Sequence, residues 1–81
     1  MISVEDLRAL LVPLVPDIPA DPQVDLLSTG YIDSLTLVAV VALLEEHFNC
    51  EFEPSDLSAS KFRSIHSLSS TMIEVLKRRP G

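Results

Sequence analysis

Residues 27–35 read Leu27-Ser28-Thr29-Gly30-Tyr31-Ile32-Asp33-Ser34-Leu35, and the rest of the fold is organised around this stretch. Gly30 can adopt backbone angles that are closed to most other residues, so the chain can turn there. Asp33 and Ser34 are both residue types that are favoured at helix N-caps. The stretch therefore predicts a turn that leads into a helix, with the Ser34 hydroxyl at the helix start.

The run that follows predicts a long helix from about Ser34 to Phe48. From Leu35 onward it contains neither Gly nor Pro, and its apolar residues recur at the spacing of one helical face. These predicted core positions are Leu37, Val40, Val41, Leu44 and Phe48. Unpaired N–H groups and the positive end of the helix dipole favour an anion, such as a phosphate, beside the first turn where Ser34 lies.

Length and composition limit what the chain can be. The 81 residues, without an internal repeat, predict one domain over residues 1–81, with a core too small to enclose a deep pocket. Hydrophobic residues make up 47% and aromatic residues only 5%, which favours aliphatic packing between helices. A net charge of −6 argues against nucleic acid as a partner, which would need clustered Lys and Arg, and suggests basic protein partners instead.

Several classes of site and location are not expected. Cys50 is the single cysteine, so an internal disulfide or a cysteine metal site cannot form, and we expect no metal. No apolar run reaches the roughly 18 residues of a membrane span, and Met1-Ile2-Ser3 lacks the basic start of a signal peptide. We expect a monomeric cytoplasmic protein, and the two ends of the sequence favour a free-standing one.

The residues before the central helix predict one helix and one long loop. Ser3 is a predicted N-cap, and Pro13 should end the first helix near Val12. The apolar stripe of that helix is Val4, Leu7, Leu10 and Leu11. Four prolines between Pro13 and Asp33 prevent a further helix there. We expect this loop to be held on the bundle by five apolar residues, Leu14, Ile18, Val24, Leu26 and Leu27.

The residues after the central helix predict a connection, a short helix and a final long helix. Asn49-Cys50 should end the central helix, and residues 51–57 should connect it onward with Phe52 and Leu57 as buried anchors. A short helix is predicted over residues 58–63. Ser64 should cap a last helix that runs to Arg78 or Arg79 before Pro80-Gly81. Its apolar positions are Ile65, Leu68, Met72, Val75 and Leu76. The predicted fold is an all-α four-helix bundle of three long helices and one short one, with a long loop between helices 1 and 2.

At this point the sequence resembles a known family, the acyl and peptidyl carrier proteins of fatty-acid, polyketide and nonribosomal-peptide synthesis. The resemblance rests on Gly30-Tyr31-Ile32-Asp33-Ser34-Leu35, followed at the family spacing by Glu45-Glu46 and Phe48. It continues through Phe52-x-Pro54-x-Asp56-Leu57 and Lys61-Phe62-Arg63, so it covers nearly the whole chain.

The resemblance implies a covalent cofactor. Ser34 would be the attachment point of a 4′-phosphopantetheine arm, transferred from coenzyme A by a separate phosphopantetheinyl transferase, with Asp33 and Leu35 beside it at the cofactor site. The thiol of the arm would hold an acyl or aminoacyl group as a thioester. Asp33 would either cap the helix or help the transferase place its metal ion and the Ser34 hydroxyl, and these two roles are compatible.

The residues themselves argue against an enzyme. A catalytic serine needs a base that a third group orients. His47 lies about 20 Å from Ser34 along one straight helix, so it cannot serve. His66 could approach only through the tertiary fold, and we expect both histidines to lie on the surface. The resemblance then implies a carrier that separate loading, synthase and tailoring enzymes modify and use.

The outer face of the central helix departs from the family's pattern. Fatty-acid carriers of bacteria usually have acids along this face, whereas here it is mainly apolar until Glu45 and Glu46. The candidate partner-docking residues are Val38, Ala39, Ala42, Glu45, Glu46 and Asp56. The apolar face favours polyketide, nonribosomal-peptide or other specialised biosynthesis, unless Val38 and Ala42 simply pack against neighbouring loops. The alternative function is a helical protein-interaction module without a prosthetic group, in which Ser34 is only a helix cap.

Overall fold

A computed structural model describes residues 2–78 of the chain. The first helix, α1, spans Val4–Leu11, and the central helix, α2, spans Ser34–Phe48. A 3₁₀ helix over Pro54–Leu57 leads into a short helix, α3, over Ala59–Phe62, and the last helix, α4, spans Ile65–Arg78. The described residues contain no strand. The predicted all-α bundle with a long first loop is confirmed, and the 3₁₀ helix is an element that the sequence did not predict.

Serine side chains cap the N-termini of α1 and α4, as their residue types predicted. The Ser3 hydroxyl accepts a hydrogen bond from the Asp6 N–H at 3.1 Å, and the Ser64 hydroxyl accepts one from the Ser67 N–H at 3.1 Å. The central helix ends at Asn49, whose φ of 52° is left-handed, as expected of a residue that stops a helix. Arg79 and Pro80-Gly81, where the last helix was predicted to end, lie outside the described residues.

Aliphatic side chains from α1, α2 and α4 form most of the core, and residues of the long loop, Cys50 and Phe62 of α3 complete it. Leu7, Leu11, Val40, Leu44 and Met72 have no solvent exposure. The predicted α2 stripe is correct at its centre, while Leu37, Val41 and Phe48 are half-buried and pack against the edge of this core. Both α1 and α3 pack against α4, and α3 also packs against the 3₁₀ helix.

The long loop is held on the bundle, but not by all of the residues expected to hold it. Ile18 and Leu26 are buried, and Val24 and Leu27 are half-buried. Leu14 was predicted to be an anchor and is exposed, whereas Val15 is buried. The reason is that the Val15 N–H bonds to the Leu11 carbonyl, so one more helical turn places Val15, and not Leu14, on the Leu11 face.

The connection after α2 also differs from the expectation. Phe52 is half-buried, with its ring 5.6 Å from the Phe62 ring, but Leu57 is 44% exposed and does not anchor the segment. Asp56 is the buried residue of this connection, at 1% exposure. The Asp56 N–H donates to the Glu53 carbonyl at 2.8 Å and closes a 3₁₀ turn. The spacing of the apolar residues did not indicate this turn.

Candidate functional site

Asp33, and not Ser34, is the N-cap of the central helix. Its carboxylate accepts a hydrogen bond from the Thr36 N–H at 2.8 Å, and its carbonyl accepts one from the Leu37 N–H at 2.8 Å. The hydrogen bond from the Thr36 backbone holds the pKa of Asp33 below its ordinary value. Ser34 is therefore the first residue inside the helix, and it is exposed to solvent.

A closed loop delivers the chain to this helix start. Leu26 and Ile32 are both buried, and the Ile32 N–H donates to the Leu26 carbonyl at 3.0 Å. We call this pair the neck, because residues 28–31 between the two are exposed to solvent. Gly30 lies in that loop with a φ of +85°, as the sequence predicted for a turn. The neck leaves only Asp33 between the core and Ser34.

Asp25 organises the loop from just before the neck. One carboxylate oxygen accepts the N–H groups of Leu27 at 3.1 Å and Ser28 at 3.0 Å, and the Asp25 carbonyl accepts the Thr29 N–H at 3.3 Å. The Ser28 hydrogen bond is the main reason that the pKa of Asp25 lies below its ordinary value. Sequence reasoning missed this residue, although an Asp that precedes a turn is a common signal for such an arrangement.

The loop is also tied to the corner between α3 and α4. The Leu26 N–H donates to the Arg63 carbonyl at 2.6 Å, and the His66 N–H donates to the Pro22 carbonyl at 3.0 Å. The Arg63 side chain adds an ion pair, with Nε 3.6 Å from an Asp25 carboxylate oxygen. The start of the central helix is thus positioned by residues about thirty positions later in the chain.

The outer face of α2 beyond Ser34 presents apolar side chains to solvent. Leu35 is 83% exposed and Val38 is 69% exposed, and Ala42 is exposed as well. The alternative that Val38 and Ala42 pack against neighbouring loops is therefore wrong. Leu35, Val38 and Ala42 form what we call the outer patch, and a contiguous apolar surface of this kind is typical of a binding region.

A shallow apolar groove borders the outer patch. Its volume is about 250 Å³, and it lies between α2 on one side and the 3₁₀ helix with α3 on the other. The lining residues are Leu37, Val38, Val41, Leu57 and Phe62. Val38 belongs to both the groove and the outer patch, so the two surfaces are continuous.

The acids expected on the docking surface do not all face solvent. Glu46 is exposed, whereas Glu45 is half-buried and its carboxylate accepts the Phe52 N–H at 2.9 Å. Ala39, the remaining apolar residue predicted for docking, is half-buried. Asp56 corrects the expectation most clearly, because its side chain is 2% exposed and cannot present its charge to a partner. Of the three acids predicted for docking, only Glu46 is classed as exposed, so the predicted docking set is less acidic than the sequence suggested.

Cations surround the buried Asp56 carboxylate. It accepts hydrogen bonds from the Arg78 guanidinium and from the Glu53 N–H at 2.8 Å, and Lys61 Nζ lies 3.7 Å away. Arg78 also pairs with the Glu53 carboxylate at 3.2 Å. The Arg78 hydrogen bond lowers the pKa of Asp56, although burial acts in the opposite direction.

The remaining reactive side chains are two exposed histidines and one buried cysteine. His47 and His66 are exposed, as predicted, and His47 is near the far end of α2 from Ser34. Cys50 is buried. Within residues 2–78 no group of three or more His, Cys, Asp or Glu side chains could hold a metal ion, and none of the described helices is long and apolar enough to cross a membrane.

Comparison with known proteins gives one match. A family model described as a phosphopantetheine attachment site matches residues 5–72. The matched range runs from the first turn of α1 into α4, and it includes the neck, Ser34, the outer patch and the groove. No curated protein and no solved structure shows a significant match to the chain.

Proposed function

The chain belongs to the phosphopantetheine attachment family, which carries covalently bound 4′-phosphopantetheine, and from this premise we propose that it is an acyl or peptidyl carrier protein with Ser34 as the attachment residue. The observation that carries the proposal is the exposed position of Ser34 at the first residue of α2. We treat residues 1–81 as a single carrier domain.

The surroundings of Ser34 suit a phosphate-linked arm. The first turn of a helix favours an anion, because its N–H groups have no carbonyl partners within the helix and the dipole is positive there. Leu35 is 83% exposed beside Ser34, so a bulky group can be attached without displacing a core side chain. Asp33 is held by Thr36 and exposed, which leaves it accessible to the transferase that places the Ser34 hydroxyl.

The bound cofactor supplies a thiol that holds acyl or aminoacyl groups as thioesters. The residues of the chain provide the attachment point and a surface for the enzymes, and the family does not itself catalyse reactions. We propose that all chemistry on the carried group belongs to separate enzymes, since His47 lies in the last turn of α2, far from Ser34. Apo protein incubated with a model thioester should leave it intact, and turnover that disappears in His66→Ala would contradict this assignment.

One observation weighs against the alternative, an interaction module in which Ser34 is only a helix cap. A cap residue is retained because its side chain accepts an N–H of the first turn. In this protein Asp33 accepts that hydrogen bond, so capping gives no reason for a serine at position 34. This observation favours the carrier function over the alternative.

The pathway is proposed from the outer patch. Leu35, Val38 and Ala42 offer an apolar contact to an enzyme, and Glu46 is an exposed acid near the end of the helix. We propose a role in polyketide, nonribosomal-peptide or other specialised biosynthesis, with loading by an enzyme that recognises an apolar surface. Holo protein should be loaded more efficiently by an acyl- or aminoacyl-adenylating enzyme than by a malonyl transferase of fatty-acid synthesis, and the reverse order would reject this choice.

Intact mass spectrometry tests the central assignment. Apo protein incubated with coenzyme A and a promiscuous phosphopantetheinyl transferase should gain one phosphopantetheinyl group, and Ser34→Ala should gain none. Ser28→Ala is the matched control, because Ser28 is an exposed serine in the adjoining loop and its loss should leave the mass gain unchanged. A folded Ser34→Ala protein that still gains the group would reject Ser34 as the attachment residue.

A further inference from the structure

Asp25 lies nine positions before Ser34 and has no role in the function argued so far. We propose that Asp25 is a positioning residue for the modification of Ser34, acting through the loop that its carboxylate organises. The inference rests on the proposed function, since it presupposes that Ser34 is the residue that the transferase modifies.

The neck is the reason that a change at Asp25 can reach Ser34. Leu26 and Ile32 are fixed in the core and joined by the 3.0 Å hydrogen bond, so the loop between them begins and ends at defined points. The neck thereby holds the exposed residues 28–31 close in sequence to Ser34, where an enzyme that modifies Ser34 meets them. Looseness in the loop therefore alters the surface next to Ser34, while Ile32 and Asp33 stay in place.

The Asp25 carboxylate restrains this loop, and the Thr29 hydroxyl adds a hydrogen bond to the Asp25 carbonyl. Its oxygen accepts two successive backbone N–H groups, those of Leu27 and Ser28, and its side chain is only 31% exposed. The Ser28 N–H is exposed and the Leu27 N–H is only partly buried, so water can reach the first of them when the carboxylate is removed. Loss of Asp25 should therefore loosen the loop without unfolding the bundle, because an exposed N–H bonded to water carries no burial penalty.

The Arg63 side chain contributes less than the Arg63 backbone. The Arg63 carbonyl accepts the Leu26 N–H in any variant with a folded backbone, whereas the guanidinium makes an ion pair at 3.6 Å and is 55% exposed. Exposed ion pairs of this kind contribute little. The two functions of Asp25 can thus be separated, because Asn retains the accepting oxygen and loses the charge.

The expected effect is on recognition by the transferase, not on the chemical step. The transferase joins Ser34 Oγ to the phosphate of the pantetheine half of coenzyme A, breaks the pyrophosphate bond, releases adenosine 3′,5′-bisphosphate and removes the hydroxyl proton. If the loop has the recognised conformation for only a fraction of the time, the apparent Kd for the enzyme equals the intrinsic Kd divided by that fraction. Once bound, it reacts at the normal rate, so KM should rise while kcat remains unchanged.

The experiment measures kcat and KM of the promiscuous transferase with apo wild type and variants as the varied substrate. Asp25→Ala should raise KM by about tenfold with kcat within about twofold, while Asp25→Asn and Arg63→Ala should stay within about threefold of wild type in KM. Asp21→Ala is the matched control, since the Asp21 carboxylate accepts the N–H of Gln23 at 2.9 Å, outside the neck, whereas Asp25 bonds N–H groups inside it. It should behave as wild type.

A second control separates positioning from loss of stability. Val75→Ala removes buried volume from α4, away from the loop, and should lower Tm without raising KM. The inference would be overturned if Asp25→Ala had the same KM as Asp21→Ala. It would also be overturned if Val75→Ala, at the same Tm as Asp25→Ala, showed the same rise in KM. Failure of wild type to be modified at Ser34 would instead reject the proposed function, so the two failures are distinguishable.

Discussion

The carboxylate of Asp56 accepts a hydrogen bond from the guanidinium of Arg78, which joins the 3₁₀ helix to the last turn of α4. The Asp56 side chain is 2% exposed and the Arg78 side chain is 43% exposed, so the pair lies at the edge of the interior. Leu57 follows Asp56 and lines the groove beside the outer patch. This contact therefore fastens one wall of the groove to α4, while α2 forms the other wall.

Loss of the Arg78 side chain should destabilise the fold. Arg78→Ala leaves a buried carboxylate with only Lys61 and the Glu53 N–H, and hydrogen bonds to charged groups typically contribute about 1.5–3 kcal/mol. We expect the free energy of unfolding in urea to fall by about 1–3 kcal/mol. Lys77→Ala removes the neighbouring exposed cation and should change it by less than about 0.5 kcal/mol. Equal effects of the two substitutions would show that the buried pair is not stabilising.

The same carboxylate should make stability depend on acid. The Arg78 hydrogen bond holds the folded-state pKa of Asp56 below the ordinary value of 3.8. A depressed folded pKa contributes stability that is complete above the unfolded pKa and is lost as pH falls through the folded pKa. Urea unfolding should show a constant contribution above about pH 5 and a decline below about pH 4. Asp56→Asn removes this decline, while Asp25 and Asp33 are common to both proteins and cancel. Parallel loss of stability in the two proteins would refute the assignment to Asp56.

Two leucines of the central helix should respond differently to the same truncation. Leu44 has no exposed surface, so Leu44→Ala should lower the free energy of unfolding by about 2–5 kcal/mol and can unfold so small a domain. Leu35 is 83% exposed, and Leu35→Ala should change it by less than about 0.5 kcal/mol. Thermal and urea unfolding of the pair measure the difference directly. Comparable losses would mean that Leu35 is covered in solution.

Docking to a loading enzyme should depend on the outer patch and be insensitive to salt. Val38→Asp and Ala42→Glu should preserve the fold and the transferase reaction but slow loading, because the enzyme must then desolvate a charge. Val12→Asp places the same kind of change at a surface site outside α2 and should have no effect. Loading rates are compared at about 50 mM and about 500 mM salt, since screening weakens an acidic interface and not an apolar one. A steep fall with salt that ignores both substitutions would assign docking to Asp33, Glu45 and Glu46 instead.

Much of the architecture followed from local patterns in the sequence. Helix 2 from Ser34 to Phe48, its stop at Asn49, the Ser3 and Ser64 caps and the turn at Gly30 depend on residues within one or two turns of each other. The prolines of the long loop excluded a helix for the same local reason. The position of Ser34 at a helix start could therefore be predicted before the fold was known.

The tertiary structure decided which polar and irregular residues are buried and which are exposed. Asp56 is buried because Arg78 reaches it from the end of α4, and that partner lies twenty-two positions away. Asp25 controls the loop before Ser34 because the neck and the Arg63 carbonyl fix the loop ends. Leu57 is exposed because Asp56 takes the inward position of the 3₁₀ turn. Helical periodicity reports which apolar residues face inward, but burial of a charge depends on a distant group that can pair with it.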